Sequence, residues 1–312
     1  MRVLFLGAGA TGGYYGGRLV EAGADVSFLV RPRRAGQLRR TGLVIKSEFG
    51  DFAVKNPQIV ERKNGEHFDV IVLSCKAYDL LSAIEAIEPF VEENTMVMPL
   101  LNGMKHLDIL AQRFGKEKVI GGTCIIASTL DDEGRILHLN DLHLLRFGEV
   151  SGEQTPRIMQ LTKTFQAPNN LTKYSETILH DLREKWVILS TLAGATCLMR
   201  GSIGDILNSA GGEEFLNRLF DECVSISAAH GYPPRPPLIQ QAHEIIGNKK
   251  STATTSMFRD MDNGSRIEAD HIIGDLVAKG DEKKVTIPLL KTAYCNTKVY
   301  ERRPKLPIFA GA

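Results

Sequence analysis

Short apolar runs alternate with helical patterns through the first half of the chain. Val3–Leu6 is an apolar run that ends at Gly7. Runs of this length, bounded by turn residues, are typical of strands that are buried on both faces of a parallel sheet. Apolar residues recur at helical spacing between the runs, so the pattern predicts a doubly wound α/β domain with right-handed crossovers. Comparable runs occupy Val26–Val30, Asp69–Ser74 and Thr95–Leu100.

The middle of the chain has a strand pattern that differs from this alternation. Residues 119–126 predict one further strand. The segments Ile136–Leu139 and Leu142–Phe147 are separated by Asn140-Asp141, a pair that is typical of turns. We therefore predict a hairpin whose turn is formed by these two residues.

The second half of the chain is predicted to be helical. From Ile178 to Met199 an apolar helical pattern runs almost unbroken. Its length approaches that of a membrane span, but four charged residues near its start make insertion costly, namely Asp181, Arg183, Glu184 and Lys185. We therefore predict a helix that is buried in a helical domain. Further helices are predicted at Glu213–His230, Leu238–Ile246, Glu268–Ala278 and Ile287–Tyr300.

Length and composition are those of a soluble protein with two domains. The chain has 312 residues, of which 43% are hydrophobic and 24% charged. Turn residues at 168–170 favour a boundary that gives an α/β domain over residues 1–172 and an all-α domain over residues 173–312. The net charge of +1 indicates neither nucleic acid nor a membrane surface as a partner. Five scattered cysteines without a CxxC pair, and no signal segment, predict a cytoplasmic protein with reduced thiols.

A GxGxxG motif directly follows the first predicted strand and opens the first predicted helix, as a dinucleotide-binding unit requires. In such a unit Gly7 forms the tight turn, Gly9 lets the backbone approach a pyrophosphate, and Gly12 lets the helix pack closely on the strand. The helix N-terminus then binds the anion. The alternative is a glycine-rich turn without a ligand. The motif consists of Gly7, Ala8, Gly9, Ala10, Thr11 and Gly12.

The end of the second strand favours NADPH over NADH. Units that bind NAD tend to place an acid there to accept from the ribose 2′-hydroxyl. Here the strand runs into three arginines without a carboxylate, and Asp25 lies at the opposite end. Guanidinium groups bind a phosphate dianion that an acid would repel, so Arg31 is the first candidate for the 2′-phosphate. The alternative is a solvated basic loop.

A dinucleotide unit does not identify the reaction, so the chemistry must come from other residues. Reduction of a ketone needs a proton donor at the carbonyl oxygen. Lys76 and Asn102-Gly103 both follow strands, at the sheet edge where doubly wound folds bind ligands. Lys185 lies in the long apolar helix, where a lysine is costly unless it has a role or its ammonium reaches water. We therefore consider all three as candidates.

The histidines give no comparable indication. None of the eight has metal-ligand spacing such as HExxH. His138 and His143 lie on either side of the predicted hairpin turn, so we expect both at the surface.

The chain resembles the ketopantoate reductase (2-dehydropantoate 2-reductase) family over essentially its whole length. The resemblance implies a Rossmann-like N-terminal domain and an all-α C-terminal domain like that of 6-phosphogluconate dehydrogenase. It also implies an NADP-dependent oxidoreductase that reduces 2-dehydropantoate to (R)-pantoate, on the route to pantothenate and coenzyme A. The motifs that carry it are GAGATG at 7–12, Cys75-Lys76-Ala77, Leu101-Asn102-Gly103, Lys185, and Ser256-Met257 followed by Glu268.

The resemblance also implies roles for individual residues. Lys185 matches the general acid of the family, and Asn102 and Lys76 match residues at the cofactor and the substrate. Ala127 matches a cofactor contact. Ser256 matches a hydroxyl that binds substrate. Glu268 matches an acidic residue at the nicotinamide end of the site, near the substrate.

Three positions depart from the family pattern. The best-known members of the family carry asparagines four and eight residues after the lysine and three residues before the serine, where this chain has Leu189, Ala193 and Ala253. Each lost polar contact costs about 1–3 kcal/mol if its partner stays buried and unpaired. Either other groups hold ketopantoate, or the substrate is a more apolar 2-oxo acid. A non-catalytic NADPH-binding sensor is a further alternative, and the sequence leaves the oligomeric state open, a homodimer included.

Overall fold

The structure is a computed structural model that describes residues 1–166 and 171–303. Its contacts form two units, of which the first consists of residues 1–101 and 106–179. The second consists of residues 102–105 and the chain from His180 onward. Each unit has its own apolar core. No helix of the described part is long and apolar enough to cross a membrane.

The contact-based boundary lies a few residues after the one predicted from sequence. The chain changes units after Leu179, whereas the prediction divides it after residue 172. Residues 172–174 form a short strand that pairs with the sheet of the first unit, so the segment that follows them stays with that unit. The turn residues 168–170, which motivated the prediction, lie outside the described residues.

The described part of the first unit has ten strands in two sheets. They are β1 (Arg2–Leu6), β2 (Asp25–Leu29), β3 (Leu43–Lys46), β4 (Phe52–Val54), β5 (Gln58–Val60), β6 (Val70–Leu73), β7 (Met96–Pro99), β8 (Ile120–Leu130), β9 (Ile136–Glu149) and β10 (Thr172–Tyr174). The first sheet has the order β5-β2-β1-β6-β7, and every pairing in it is parallel. Strand order reverses beside β1, which confirms the doubly wound arrangement and places a ligand crevice at the carboxyl ends of the strands.

The second sheet corrects the predicted hairpin. It has the order β10-β9-β3-β4, with β8 antiparallel to β9. The prediction of a turn at residues 140–141 was wrong, because β9 is one continuous strand and the true hairpin joins β8 to β9. The four residues 139–142 instead form a bulge opposite Ala127 alone. The Asn140 side chain accepts from the Ala127 N–H at 3.3 Å, and the carbonyl of Leu142 lies 3.0 Å from Nε2 of His138.

The two histidines that flank this bulge are buried, so the prediction of a surface location was also wrong. His138 and His143 are each 8% exposed. The His143 ring stacks on Phe49 with 3.7 Å between ring centroids, and its Nδ1 lies 2.7 Å from the Tyr14 hydroxyl. Nδ1 of His138 lies 2.9 Å from the Ser47 hydroxyl. Because a bulge replaces the expected turn, both side chains face the protein.

Helices account for most of the second unit. The long helix has the predicted bounds, and three other predicted helices agree to within two residues at each end. The predicted helix Glu268–Ala278 instead begins as a π-helical segment, Asp270–Gly274, and continues into an α-helix. The α-helices are α1 (Ala10–Glu21), α2 (Pro32–Thr41), α3 (Leu80–Ile87), α4 (Lys105–Phe114), α5 (Pro156–Thr164), α6 (Ile178–Met199), α7 (Ile203–Leu207), α8 (Gly212–Ala229), α9 (Pro236–Ile246), α10 (Ser256–Asp262), α11 (Asp275–Glu282) and α12 (Pro288–Arg302).

The buried carboxylate of Glu149 connects the end of β9 to the start of α5 through hydrogen bonds. Nε and Nη2 of Arg157 donate to the two carboxylate oxygens of Glu149 at 2.7 and 2.6 Å, and the Thr155 hydroxyl donates at 2.5 Å. Burial alone would raise the pKa of Glu149, but the hydrogen bonds from Arg157 and Thr155 outweigh it and lower that pKa below its usual value. The ionised carboxylate therefore stabilises the folded state.

Replacing Glu149 by glutamine is expected to remove a pH-dependent part of the stability. A pKa lowered by folding contributes stability above the unfolded value of about 4.3, and this contribution is lost as the pH falls. Urea unfolding at pH 6 should show Glu149→Gln less stable than wild type by about 1–2 kcal/mol, a difference that shrinks as the pH falls through the lowered pKa of Glu149. Glu48→Gln, at an exposed glutamate, is the control. A difference that does not change with pH would contradict the ionic contribution.

Candidate active site

The glycine turn has the geometry that its sequence predicts. Gly7 has a φ of +95°, which L side chains rarely adopt, and its N–H donates to the Leu29 carbonyl at 2.8 Å. A Cβ at Gly12 would lie 2.7 Å from the Gly7 carbonyl oxygen, so only glycine allows the helix to pack this closely. A Cβ at Gly9 would meet no described atom within 4 Å, so the space over the turn is open.

The N-terminus of α1 lies at this open side of the turn. Gly9 is the N-cap, it has no side chain that could cap the helix, and the first turn carries no acidic residue. The helix N-terminus therefore presents backbone N–H groups and a partial positive charge, as an anion-binding site requires. The residues that are present fit a dinucleotide pyrophosphate.

The arginines after β2 differ in whether their guanidinium groups are free to bind a ligand. The Arg34 guanidinium donates to the Ala8 carbonyl of the glycine turn at 2.9 Å, and to the Gly134 carbonyl at 2.9 Å. Burial lowers the pKa of Arg34. Arg31, by contrast, has a side chain that is 79% exposed. Arg34 thus holds the glycine turn to the tip of the β8–β9 hairpin, while Arg31 is available to a ligand.

An acid also lies at this end of the sheet, although the sequence prediction found none. Asp79 follows β6, and its carboxylate lies 3.6 Å from Nη2 of Arg31. Both side chains are more than one third exposed, so the ion pair contributes little to stability. Asp25 is far from this position along the strand and pairs with Arg2 at 3.2 Å.

Lys76 and Ala127 are the other predicted site residues in the first unit. Lys76 follows the carboxyl end of β6 and is the N-cap of a short 3₁₀ turn, Ala77–Asp79. The hydroxyl of Ser74, two residues earlier, donates to the Leu6 carbonyl at 3.1 Å and so ties the end of β6 to that of β1. Ala127 lies on β8 opposite the bulge of β9.

The second unit contains Lys185 on a helix whose position is fixed by buried side chains. Lys185 lies in the first half of α6 and is half-buried. Nε1 of the next residue, Trp186, donates to the Ile272 carbonyl at 2.8 Å. The Ser190 hydroxyl, one turn further along α6, donates to the same carbonyl at 2.8 Å.

That carbonyl belongs to the π segment, which follows Glu268. The Asp275 N–H donates to the carbonyl of Asp270, five residues earlier, which is the bonding of a π turn. Glu268 is 4% exposed. Hydrogen bonds from the Tyr294 hydroxyl at 2.7 Å and from Nζ of Lys298 at 2.8 Å fix Asp270 to α12. Although burial opposes them, these contacts hold the pKa of Asp270 below its usual value.

Asn102 lies beside the same segment. Gly103, the next residue, has a φ of +81°, and a Cβ there would lie 2.2 Å from the carbonyl oxygen of His271. Burial, with a contribution from the charge of Lys105, lowers the pKa of His271. The structure therefore brings Asn102, the helix of Lys185 and the segment after Glu268 together within one unit.

Ser256 lies beside a different part of α6 from the part that carries Lys185. It is the first residue of α10, and the preceding Thr255 is the N-cap, whose hydroxyl lies 3.2 Å from that of Thr196. Thr196 follows Lys185 by about three helical turns. Ser256 thus lies near the second half of α6, and Lys185 lies in its first half.

The three positions that depart from the family pattern have different surroundings. Ala193 is fully buried in the apolar core of the second unit, and Leu189 packs partly buried against that core. Ala253 is exposed, and its carbonyl accepts from the Ile203 N–H at 3.1 Å. No group of three or more potential metal ligands was found among the described residues.

Several residues around this candidate site have no recognisable signal in the sequence. Trp186 and Ser190 are ordinary residues of an apolar helix in the sequence, and the π turn has no local signal. Asp79 lies in a turn that no strand or helix pattern marks. A tertiary structure was needed to show that Trp186 and Ser190 donate to the Ile272 carbonyl, and that Asp79 lies beside Arg31.

Comparisons with known proteins agree with this architecture. The family model described as ketopantoate reductase PanE/ApbA matches residues 3–152, and that of its C-terminal part matches residues 177–301. The uncharacterized oxidoreductase YkpB of Bacillus subtilis is 38% identical over 96% of this chain and 99% of its own length. The 2-dehydropantoate 2-reductase of Nostoc sp. is 26% identical over 96% of this chain and 94% of its own.

Solved structures share the fold. A 2-dehydropantoate 2-reductase from Geobacter metallireducens superposes with a TM-score of 0.86 at 24% identity, covering 96% of this chain and 99% of that one. A ternary structure of D-mandelate dehydrogenase with NADH and anilino(oxo)acetate has a TM-score of 0.85 at 20% identity, covering 96% and 98%. Both family models together match most of the chain, so this protein belongs to the ketopantoate reductase family and is an oxidoreductase.

Proposed function

We propose that the protein is an NADPH-dependent reductase of a 2-oxo acid, and that 2-dehydropantoate, which it would reduce to (R)-pantoate, is the substrate. The observation that carries the proposal is Lys185, half-buried in a member of this family, on a helix fixed to the segment that follows Glu268. A positioned lysine ammonium is one of the side-chain groups that can donate a proton to a ketone oxygen.

The glycine turn and Arg31 are the residues that would hold the cofactor. The backbone N–H groups at the start of α1 would bind the pyrophosphate, and the exposed guanidinium of Arg31 would bind the 2′-phosphate. Lys76 and Ala127 would contact the cofactor as their counterparts in the family do. When bound, the reduced nicotinamide supplies the hydride that converts the ketone carbon to an alcohol carbon.

The residues of the second unit perform the rest of the reaction. Lys185 donates its proton from Nζ to the carbonyl oxygen, on which negative charge develops as the bond order falls. Asn102 and Ser256 bind and orient the substrate, and Glu268 is the acidic residue beside it. A positioned acid of this kind contributes about 10²–10⁴-fold to the rate.

A second candidate substrate is a more apolar 2-oxo acid, such as an aromatic one. Leu189 and Ala193 lie in or against an apolar core and offer no hydrogen bond where family members carry asparagine. The structurally similar D-mandelate dehydrogenase was solved with anilino(oxo)acetate, an aromatic 2-oxo acid analogue, and with NADH. Its likeness supports the fold, while the substitutions at positions 189 and 193 favour the alternative substrate.

A substrate panel distinguishes the two candidates. We expect the purified protein to oxidise NADPH with ketopantoate at a kcat/KM at least tenfold above that for branched-chain and aromatic 2-oxo acids, a preference of about 1.4 kcal/mol. The rate of NADPH oxidation at 340 nm is the measurement. Leu189→Asn is a matched variant, because it should raise kcat/KM for ketopantoate only if the wild-type pocket is adapted to an apolar acid.

Two outcomes would contradict the proposal. A preference for an aromatic or branched 2-oxo acid would make the second candidate, a more apolar 2-oxo acid, the substrate. Tight binding of NADPH, seen by quenching of Trp186 fluorescence, without oxidation by any member of the panel would favour the non-catalytic sensor.

A further inference from the structure

Two buried side chains of α6 donate to a single backbone carbonyl. Nε1 of Trp186 and Oγ of Ser190 both lie 2.8 Å from the carbonyl oxygen of Ile272. Trp186 is 3% exposed and Ser190 is fully buried. Two donors, one turn apart on the same helix, fix both the rotation and the height of α6 at this point.

The carbonyl that they share lies close along the chain to Glu268. The Ile272 N–H donates to the Glu268 carbonyl at 3.0 Å, so these two residues are one helical turn apart. At the α6 end of this contact, Lys185 is the residue directly before Trp186. Lys185 is therefore connected to Glu268 in three short steps. The peptide bond leads from Lys185 to Trp186, the indole hydrogen bond leads from Trp186 to Ile272, and one helical turn leads from Ile272 to Glu268.

The π segment is held at other points as well, so it forms a fixed reference for α6. Asp270 is bound by Tyr294 and Lys298 of α12. A Cβ at Gly274 would lie 2.7 Å from the Tyr294 ring, so close packing holds the end of the segment. A Cβ at Gly103 would lie 2.2 Å from the His271 carbonyl oxygen, so close packing also restrains this part of the segment. These contacts restrain the segment independently of α6.

We propose that Trp186 and Ser190 are positioning residues, which set Lys185 relative to Glu268 through the Ile272 carbonyl. This inference rests on the proposed function, in which Lys185 is the acid. Neither side chain is assigned to the substrate or the cofactor. A shift of about 1 Å in a catalytic group costs up to about 10²-fold in rate, so the loss of one donor should lower kcat without weakening cofactor binding.

The test uses Ser190→Ala and Trp186→Phe, which each remove one donor and keep most of the side-chain volume. Each is expected to lower kcat about tenfold, while KM for NADPH stays within about twofold of wild type. Ser190→Thr, which keeps the hydroxyl, should recover most of the lost rate. The matched control is Ser227→Ala, because Ser227 is also buried and its hydroxyl donates to a backbone carbonyl, that of Tyr232, at 2.7 Å.

A double-mutant cycle separates positioning from general loss of structure. In the Lys185→Ala background, Ser190→Ala should change the residual rate by less than about twofold, because residues that act through one another are not additive. An equal loss of rate in both backgrounds, or an unchanged kcat in both single variants, would overturn the proposal.

A measurement without substrate keeps this inference separate from the proposed function. The rate at which acetic anhydride acylates Lys185, followed by mass spectrometry, should change at least about threefold in Ser190→Ala, because the amine reacts only as far as its Nζ is accessible, and a displaced α6 changes how far Nζ reaches water. The exposed Lys250 is the internal reference. If the wild type reduces no 2-oxo acid but this reactivity changes, the proposed function fails and the positioning contact stands. Unchanged reactivity overturns the positioning contact.

Discussion

Replacing Lys185 by alanine is expected to lower kcat for the 2-oxo acid by about 10²–10⁴-fold, the contribution of a positioned general acid. This corresponds to roughly 3–5 kcal/mol of the barrier. KM for NADPH should change little, because the residues proposed to bind its phosphates lie on the glycine turn and after β2. Alanine removes the proposed proton donor from a half-buried position and leaves the two hydrogen bonds to Ile272 in place.

Steady-state kinetics and thermal unfolding together check this prediction. The control is Lys250→Ala, which removes an exposed lysine from the same unit and should leave kcat unchanged. Lys185→Ala should unfold within a few degrees of wild type, which excludes loss of the fold as the cause. A kcat within about threefold of wild type would show that another group, or water, protonates the ketone.

The elements that depend on local pattern could be predicted from the sequence. The first strand, the glycine turn and the first helix all lie where the apolar run and the glycines indicate. A buried parallel strand needs a continuous apolar run, and a tight turn needs a residue that tolerates positive φ, so both leave a local mark. The long helix has the predicted bounds for the same reason, because its apolar residues recur over six turns.

The second sheet shows what local pattern cannot give. Asn140-Asp141 has the composition of a turn, yet these residues lie in a bulge, because β8 continues pairing with β9 on both sides of them. Burial of His138 and His143 follows from that pairing and from the packing of Tyr14 and Phe49. Each of these contacts joins residues that are distant in the sequence.

The residues of the candidate site also fall into two classes, those with a local signal in the sequence and those that depend on tertiary contacts. The glycine positions, Arg31 and Lys185 were predicted from local requirements, namely backbone geometry, charge at a strand end and a lysine in an apolar helix. Trp186 and Ser190 could not be found, because their importance comes from a carbonyl more than eighty residues away that a π turn presents to them. A π turn depends on packing around the helix, so its sequence reads as an ordinary helix.

Replacing Arg31 by aspartate is expected to reverse the proposed preference for NADPH over NADH. Arg31 presents an exposed guanidinium at the first position after Val30, whereas Arg34 is bound to the Ala8 and Gly134 carbonyls. Losing a charge-assisted hydrogen bond costs about 1.5–3 kcal/mol, and the new carboxylate would add repulsion. We expect Kd for NADPH to rise about 10²-fold.

NADH should respond differently, because it has no phosphate at this position. A carboxylate at residue 31 can accept from a ribose 2′-hydroxyl, as the acid of NAD-binding units does. Kd for NADH should therefore stay within about threefold or fall. Asp79, which lies 3.6 Å from Arg31 in the wild type, would lose its partner and increase the negative charge that a phosphate meets.

Fluorescence titration with each cofactor measures the Kd for NADPH and the Kd for NADH without a substrate, so the result does not depend on which 2-oxo acid is reduced.

The matched control is Arg33→Asp, which makes the same change of charge at another exposed arginine two residues away. If binding responds only to the overall potential of the loop, both variants should weaken NADPH equally, since a Debye length of about 8 Å spans the distance between them. A larger loss in Arg31→Asp, confined to NADPH, requires direct contact with the 2′-phosphate. Equal losses for NADPH and NADH in that variant would instead mean that the substitution disturbs the glycine turn, and the selectivity would then have to come from another residue.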